Sequence, residues 1–276
     1  MPELPEVEAV RRLLDRAMRG SRIMRVEVRR AGLRRPFPSG FAARLTGQVV
    51  EAVTRRGKYL LVRLHSGDTL LAHLGMSGWF RVSPAREADT GVDLKGRAHD
   101  HVVFGLSSGT VVTFNDPRRF GLMDMVAARD AAAHDAIGAL GPEPLDTTFD
   151  AAVLARACAG KRVSLKVALL DQRIVAGLGN IYASEALHHA RLSPRRRAST
   201  IATRAGAPRD AAVRLAVGIK AVLHKAIGRG EQAYRAGRFR VYERQGQPCL
   251  RPRCPGTIRR ITQAGRSTYF CQICQR

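Results

Sequence analysis

Long apolar runs are missing from this chain. No stretch approaches the roughly 18 apolar residues that a bilayer span requires, no long basic amphipathic helix stands out, and the first eight residues carry acids where a signal peptide would have its apolar core. Acidic residues are scarce overall: 23 Asp and Glu face 47 Lys and Arg, a net charge of +24. That excess runs the whole length of the chain, so it suits a polyanion laid against a folded surface. With 45% hydrophobic residues the sequence is no disordered basic tail. Internal repeats and long low-complexity tracts are also absent, and cysteine is nearly so before residue 249. These absences lead to an expectation of a cytoplasmic, nucleoid-associated monomer that binds nucleic acid and no membrane. In that compartment, clustered cysteines point to a metal before disulfides.

The 276 residues suffice for two domains with a sizeable core. From Ile23 to about Val126 short β-rich runs alternate with turn signals: IMRVEVRR, GQVVEAVTRR, KYLLVRLH, DTLLAHL, GWFRVS, HVVFGLSS and TVVTF, with HSGD and SSGT as hairpin turns. This spacing predicts an all-β sandwich or barrel, with the N-terminal segment as a helix whose Val7, Val10, Leu14 and Met18 form one apolar stripe. From Ala127 the pattern turns helical, over 150–158, 163–170, 181–189 and 208–227. The fold class is therefore α+β in two domains. The expected boundaries are 1–130 for the N-terminal domain, 131–240 for a helical domain and 241–276 for a terminal hairpin.

Three stretches carry chemistry. The chain opens MPELPEVE, and loss of Met1 exposes the secondary amine of Pro2. An α-amino group titrates near about 7.7–8.0, so this amine is a nucleophile at neutral pH, and Glu3 and Glu6 stand beside it to move protons. The plain alternative is a helix start, with Pro5 in the first turn and Glu6 and Glu8 at the positive end. At the other terminus Cys249, Cys254, Cys271 and Cys274 are spaced by four, sixteen and two residues, a pattern that converges thiolates on one structural zinc ion. Between the pairs, TIRRITQ and RSTYF flank Ala264-Gly265 as two strands carrying Arg259, Arg260 and Arg266. Those arginines either grip phosphates or are simply solvated. Cys158 is left over, as a small buried apolar residue.

The third stretch, KRVSLKVALLDQRIVAGLGNIYASEAL, reads as helix, Gly-bearing turn, helix, with Asn180 placed to cap the second helix and Lys161 and Lys166 adding charge nearby. It is either a plain helical hairpin or an anion site. In the β half, Lys58 stands at a strand edge after Arg56-Gly57, where the plain reading is a solubilising charge. HLGMSG puts His73 and Met76 in one small-residue turn and NDPRRFG puts Arg118 and Phe120 in another. Met76 and Phe120 are either core residues or wedges that replace a base taken out of the stack.

MPELPEVE, RGKYL, HLGMSG, HDH, NDPRRFG, GLGNIYASEAL and GRSTYFC, in this order from end to end, resemble the bacterial formamidopyrimidine-DNA glycosylases. The resemblance implies an N-terminal β-sandwich carrying the N-terminal helix, a helical domain with a helix-two-turn-helix and a zinc hairpin, and double-stranded DNA with oxidised bases or abasic sites as partner. It implies a bifunctional glycosylase and AP lyase of base excision repair that removes oxidised purines. Pro2 would attack C1′, expel the base and form a Schiff base, and β- and δ-elimination would follow. Glu3 would be the acidic proton donor, Lys58 a general acid or base, Glu6 a support, and Arg266 a grip on the flanking phosphates. Met76, Arg118 and Phe120 would fill the gap left by the flipped nucleotide, and His73, in the same turn as Met76, would bind the DNA beside them. His99, Lys161 and Asn180 would contact phosphates.

Two departures stand out. The first cysteine pair has four intervening residues where the family usually has two, and GRGEQAYRAGRFRVYER is shorter than the family segment that closes over an everted 8-oxoguanine. The shortened segment leaves room for an oxidised-pyrimidine glycosylase of endonuclease VIII type. A non-catalytic protein recognising damaged DNA is the reading from a different class, opposed by the joint presence of Pro2, Glu3 and Lys58.

Overall fold

The N-terminal stripe forms a helix because its apolar residues recur on one face and its charges pair along the other. In the computed structural model, which describes residues 2–84, 98–127, 130, 134–229 and 239–276, α1 spans Leu4–Met18. Glu8 takes Arg11 and Arg12 as partners one turn on, while Val7, Leu14 and Met18 are buried. The Asp15 carboxylate accepts the Val53 N–H at 2.9 Å and fastens the helix to the sheet beneath it.

The chain divides into two compact units, one of Pro2 with Glu6–Gly138 and one of Glu3–Pro5 with Ala139–Arg276. The first is a sandwich of two four-stranded antiparallel sheets. One sheet runs β1-β6-β7-β5, with β1 Ile23–Val28, β5 Trp79–Pro84, β6 Asp100–Leu106 and β7 Thr110–Asn115. The other runs β2-β3-β4-β8, with β2 Val50–Arg56, β3 Tyr59–Leu64, β4 Thr69–His73 and β8 Leu122–Val126. Alternate residues such as Leu60, Val62 and Leu64 of β3 point inward, and they meet Val102, Phe104, Val112 and Phe114 in one core. HSGD and SSGT make the turns between β3 and β4 and between β6 and β7, as their sequence predicts. The runs picked out by alternation omit β8, whose LMDMV is weakly β-forming and is held by its pairing with β4. A short helix α2, Phe41–Leu45, was also not anticipated.

In the second unit α3 is Ala151–Cys158, α4 Leu165–Leu170, α5 Asn180–His189 and α6 Asp210–Ile227. Asp150 caps α3 by accepting Val153 N–H at 2.8 Å, and Ser164 caps α4. Leu4 joins this core, its N–H donating to Gly177 O at 3.1 Å. A Cβ on Gly177 would lie 2.7 Å from the Leu4 side chain, and its φ of +81° is left-handed, so glycine is required twice over. Strands β9, Ile258–Gln263, and β10, Arg266–Cys271, form the terminal hairpin around Ala264-Gly265. Cys158 is wholly buried, and burial pushes its thiol up to about 11. Among the described residues no helix is long and apolar enough to cross a membrane.

Candidate functional site

Glu3 is held closely by the helical unit. Its side chain is buried at the N-terminus of α5, where Oε1 accepts Ile181 N–H at 2.9 Å and Oε2 accepts Tyr182 N–H at 3.3 Å. Two of the helix's free amides and the positive end of its dipole thus converge on one carboxylate. The approach is possible because Gly179 has no side chain: a Cβ there would lie 2.3 Å from Glu3 Cδ. Pro2, the residue before, is half-buried, and Glu6 is half-buried in the first turn of α1.

Asn180 does not cap α5. Gly179 is the N-cap, with no side-chain cap bond, and Asn180 is the first helical residue. Its amide is used sideways instead, because the Glu3 carboxylate already serves the amides that a cap would take. Asn180 Nδ2 donates to Ser267 O at 3.0 Å, and Oδ1 accepts from Lys166 Nζ at 2.8 Å. Lys166 is the hub, donating also to Thr268 Oγ1 at 3.0 Å. Lys166 adds its charge beside this turn from inside the protein, because it has no exposed area. Burial pushes its ammonium down to about 8, Arg266 pushes the same way, and Glu3 opposes them. Its place beside Leu165 and just before Ala168-Leu169 on a buried helix face is the one signal that could have shown this. Lys161, after α3, and Arg266, at the start of β10, are both exposed.

In the first unit Lys58 is no solubilising edge charge. It sits buried in the tight turn between β2 and β3, where Gly57 adopts φ +57° and its carbonyl accepts Arg55 Nη1 at 2.9 Å. Its charge reaches His73, which burial first, then Lys58 and Arg34, push down to about 4. A neutral His73 can accept a proton, and Nδ1 takes the Gly75 N–H at 3.0 Å, shaping the turn that carries Met76. A Cβ on Gly75 would lie 2.4 Å from the backbone of Phe120, so the Met76 and Phe120 turns are stacked directly together. Asp116 staples them, accepting Ser77 Oγ at 2.6 Å and Gly121 N–H at 2.8 Å. The sequence reading missed Ser77 and Asp116. Met76 and Phe120 each remain 43% exposed, which rules out the core reading, and the Arg118 guanidinium lies 4.6 Å over the Phe120 ring. His99 is exposed just before β6, its carbonyl taken by Asp116 N–H.

The four terminal cysteines converge. Their sulfurs all lie within 4.8 Å of one another, with Cys249 and Cys274 at 3.8 Å and Cys254 and Cys271 at 3.6 Å. Tetrahedral zinc–thiolate bonds of about 2.3 Å place sulfurs roughly 3.8 Å apart, so the set fits such an ion. Burial and the neighbouring sulfurs push the Cys274 thiol up to about 12, and a bound cation would reverse this. The shortened segment falls largely on residues 230–238, outside the described residues.

The formamidopyrimidine-DNA glycosylase N-terminal domain family matches residues 1–123, and the formamidopyrimidine-DNA glycosylase H2TH domain family matches residues 140–237. The chain is 54% identical to the formamidopyrimidine-DNA glycosylase of Afipia carboxidovorans over 294 aligned positions covering all of both chains. It is 52% identical to that of Azorhizobium caulinodans, again over the full length of both. An alignment longer than the chain itself means that the relatives contain residues this chain lacks. Among solved structures, Lactococcus lactis formamidopyrimidine-DNA glycosylase bound to DNA containing an AP site matches with a TM-score of 0.85 at 29% identity over 99% of each chain. MutM in complex with DNA containing carbocyclic 8-oxo-G matches with a TM-score of 0.85 at 30% identity over the whole of both. The chain belongs to the formamidopyrimidine-DNA glycosylase family.

Proposed function

We propose that this protein is a DNA glycosylase and AP lyase of base excision repair acting on oxidised purines, with the Pro2 amine as nucleophile. The observation that carries the reading is the Glu3 carboxylate bound on the amides of Ile181 and Tyr182, which fixes a proton-transfer group one residue from that amine. Pro2 N attacks C1′ of the damaged nucleoside, and the glycosidic electron pair leaves with the base, which is protonated as it departs. The Glu3 carboxylate takes the proton that Pro2 N loses on bonding C1′ and passes it to the ring oxygen of the sugar, and the ring opens to an iminium. That iminium is an electron sink, so loss of a 2′ proton expels the 3′ phosphate and a second elimination expels the 5′ phosphate. Lys58 and Glu6 move protons in these steps, and Arg266 binds the flanking phosphates.

Met76, Arg118 and Phe120 fill the space of the everted nucleotide, Arg118 meeting the orphaned base. Their exposure on two turns stapled through Asp116 supports this role. His99, Lys161 and Asn180 contact phosphates, and His73 shapes the Met76 turn from behind. The four cysteines hold one structural zinc ion, which has no open position for catalysis.

The test is borohydride trapping on two duplexes, one with 8-oxoguanine opposite cytosine and one with an oxidised pyrimidine, using Pro2→Gly as control. Reduction freezes the iminium as a covalent protein–DNA complex. Preferential trapping on 8-oxoguanine is expected. Trapping mainly on the pyrimidine would move the enzyme to endonuclease VIII-type specificity, and no adduct even on an abasic site would leave a DNA-binding protein.

A further inference from the structure

The zinc hairpin is tied to α5 at both ends of that helix. At the N-terminal end the ties are Asn180 and Lys166 on Ser267 and Thr268. At the C-terminal end His188 is buried with Nε2 3.4 Å from Cys249 Sγ. Arg251 belongs to the four-residue turn between Cys249 and Cys254. Its Nη2 donates to His188 O at 2.6 Å and His189 O at 3.4 Å, the carbonyls that a helix leaves free at its last turn. The turn is held from its other side by Arg240 Nη1 on Leu250 O at 2.7 Å.

From this geometry, and resting on the reading of the cysteines as a zinc site, we infer that His188 is an outer positioning residue of the metal centre. It donates its Nε2–H to the Cys249 thiolate, while Arg251 clamps the lengthened cysteine turn onto the end of α5. A metal-bound thiolate carries no proton, so the hydrogen in this contact belongs to the imidazole. Such a bond draws charge from the sulfur and fixes the side chain that carries it, which strengthens metal retention. The lengthened spacing thereby acquires a purpose. The residues between Cys249 and Cys254 supply the guanidinium that docks the centre on the helix whose other end holds Glu3.

The test uses the full-length metal-loaded protein and two replacements of equal length, His188→Gln, which keeps an N–H donor, and His188→Met, which does not. Zinc content is measured first, then the rate of zinc loss to excess chelator, then the sulfur-to-metal charge-transfer band after cobalt substitution. The Met variant is expected to lose zinc about tenfold faster or more and to shift the band, with Gln restoring both. Arg251→Met is expected to speed zinc loss as well. Equal changes in the Gln and Met variants would reduce His188 to a space-filling residue and overturn the inference, as would wild-type behaviour in both. If the Met variant does not fold, the Gln variant decides: zinc loss at the wild-type rate supports the donor role and rapid loss refutes it. Absence of bound zinc in the wild-type chain would overturn the metal reading itself, an outcome distinct from the others.

Discussion

At the scale of single residues, the site depends on what glycine leaves out. Gly179 has φ −133°, which any residue adopts, so an alanine there carries no backbone strain. The three nearest atoms that its Cβ would meet all belong to the Glu3 side chain, at 2.3–2.7 Å. Gly179→Ala is therefore expected to cut single-turnover base excision by at least about tenfold, the cost of a small misplacement of a catalytic group, while leaving the melting temperature nearly unchanged. Full activity in this variant would show that the position of Glu3 is not critical. His73 gives a pH dependence at the same scale. Its pKa falls from an ordinary 6.5 to about 4 on folding, so the unfolded chain takes up a proton first and stability is lost as pH drops from about 6.5 towards 4. Protonation also breaks the Gly75–Nδ1 bond that shapes the Met76 turn. In denaturant titrations His73→Gln should flatten this acid-side loss, and an unchanged pH profile would mean that His73 is not its source. Of these features the sequence showed which residue types were in place but not which bonds they make. Lysine is nearly always exposed, so the burial of Lys58 and Lys166 shows only in the folded chain.

At the scale of elements, the terminal hairpin is the part least able to stand alone. Its own core consists of Val241, Cys249, Ile258 and Cys271, whereas the β-sandwich buries residues from eight strands and α1. Zinc binding of about 10–16 kcal/mol in small thiolate sites would then serve as folding energy for the hairpin. Stripping the metal with a chelator should leave the amides of β2–β4 protected from hydrogen exchange while those of β9 and β10 exchange quickly. Persistent protection of Arg259–Phe270 without metal would sink the idea that the ion organises this element. The hairpin was legible because cysteine spacing and a Gly-bearing turn are local signals. The sandwich strands were legible because burial on one face imposes a period of two. What failed were features set by partners distant in sequence: β8 is defined by β4, and Asn180 was freed from capping by Glu3, which lies 177 residues earlier.

At the scale of the whole molecule, a charge of +24 makes DNA affinity a function of salt. Each phosphate neutralised by a cation releases condensed counterions, and log K falls with log salt by a slope of about −0.9 per contact. Two kinds of proposed phosphate contact can then be told apart. Lys161 and Arg266 are exposed cations, so Lys161→Ala and Arg266→Ala should each weaken binding to an abasic-analogue duplex and make the slope shallower by about 0.9. Asn180 is uncharged, and its proposed contact would use the one side-chain amide hydrogen left over from its bond to Ser267. Asn180→Ala should therefore weaken binding without altering the slope. Fluorescence anisotropy between about 50 and 200 mM salt resolves these changes, since several contacts together are worth orders of magnitude in affinity over that range. A Lys161 or Arg266 variant with weaker binding but an unaltered slope would place that side chain off the phosphates, and its loss of affinity would then have to arise within the protein.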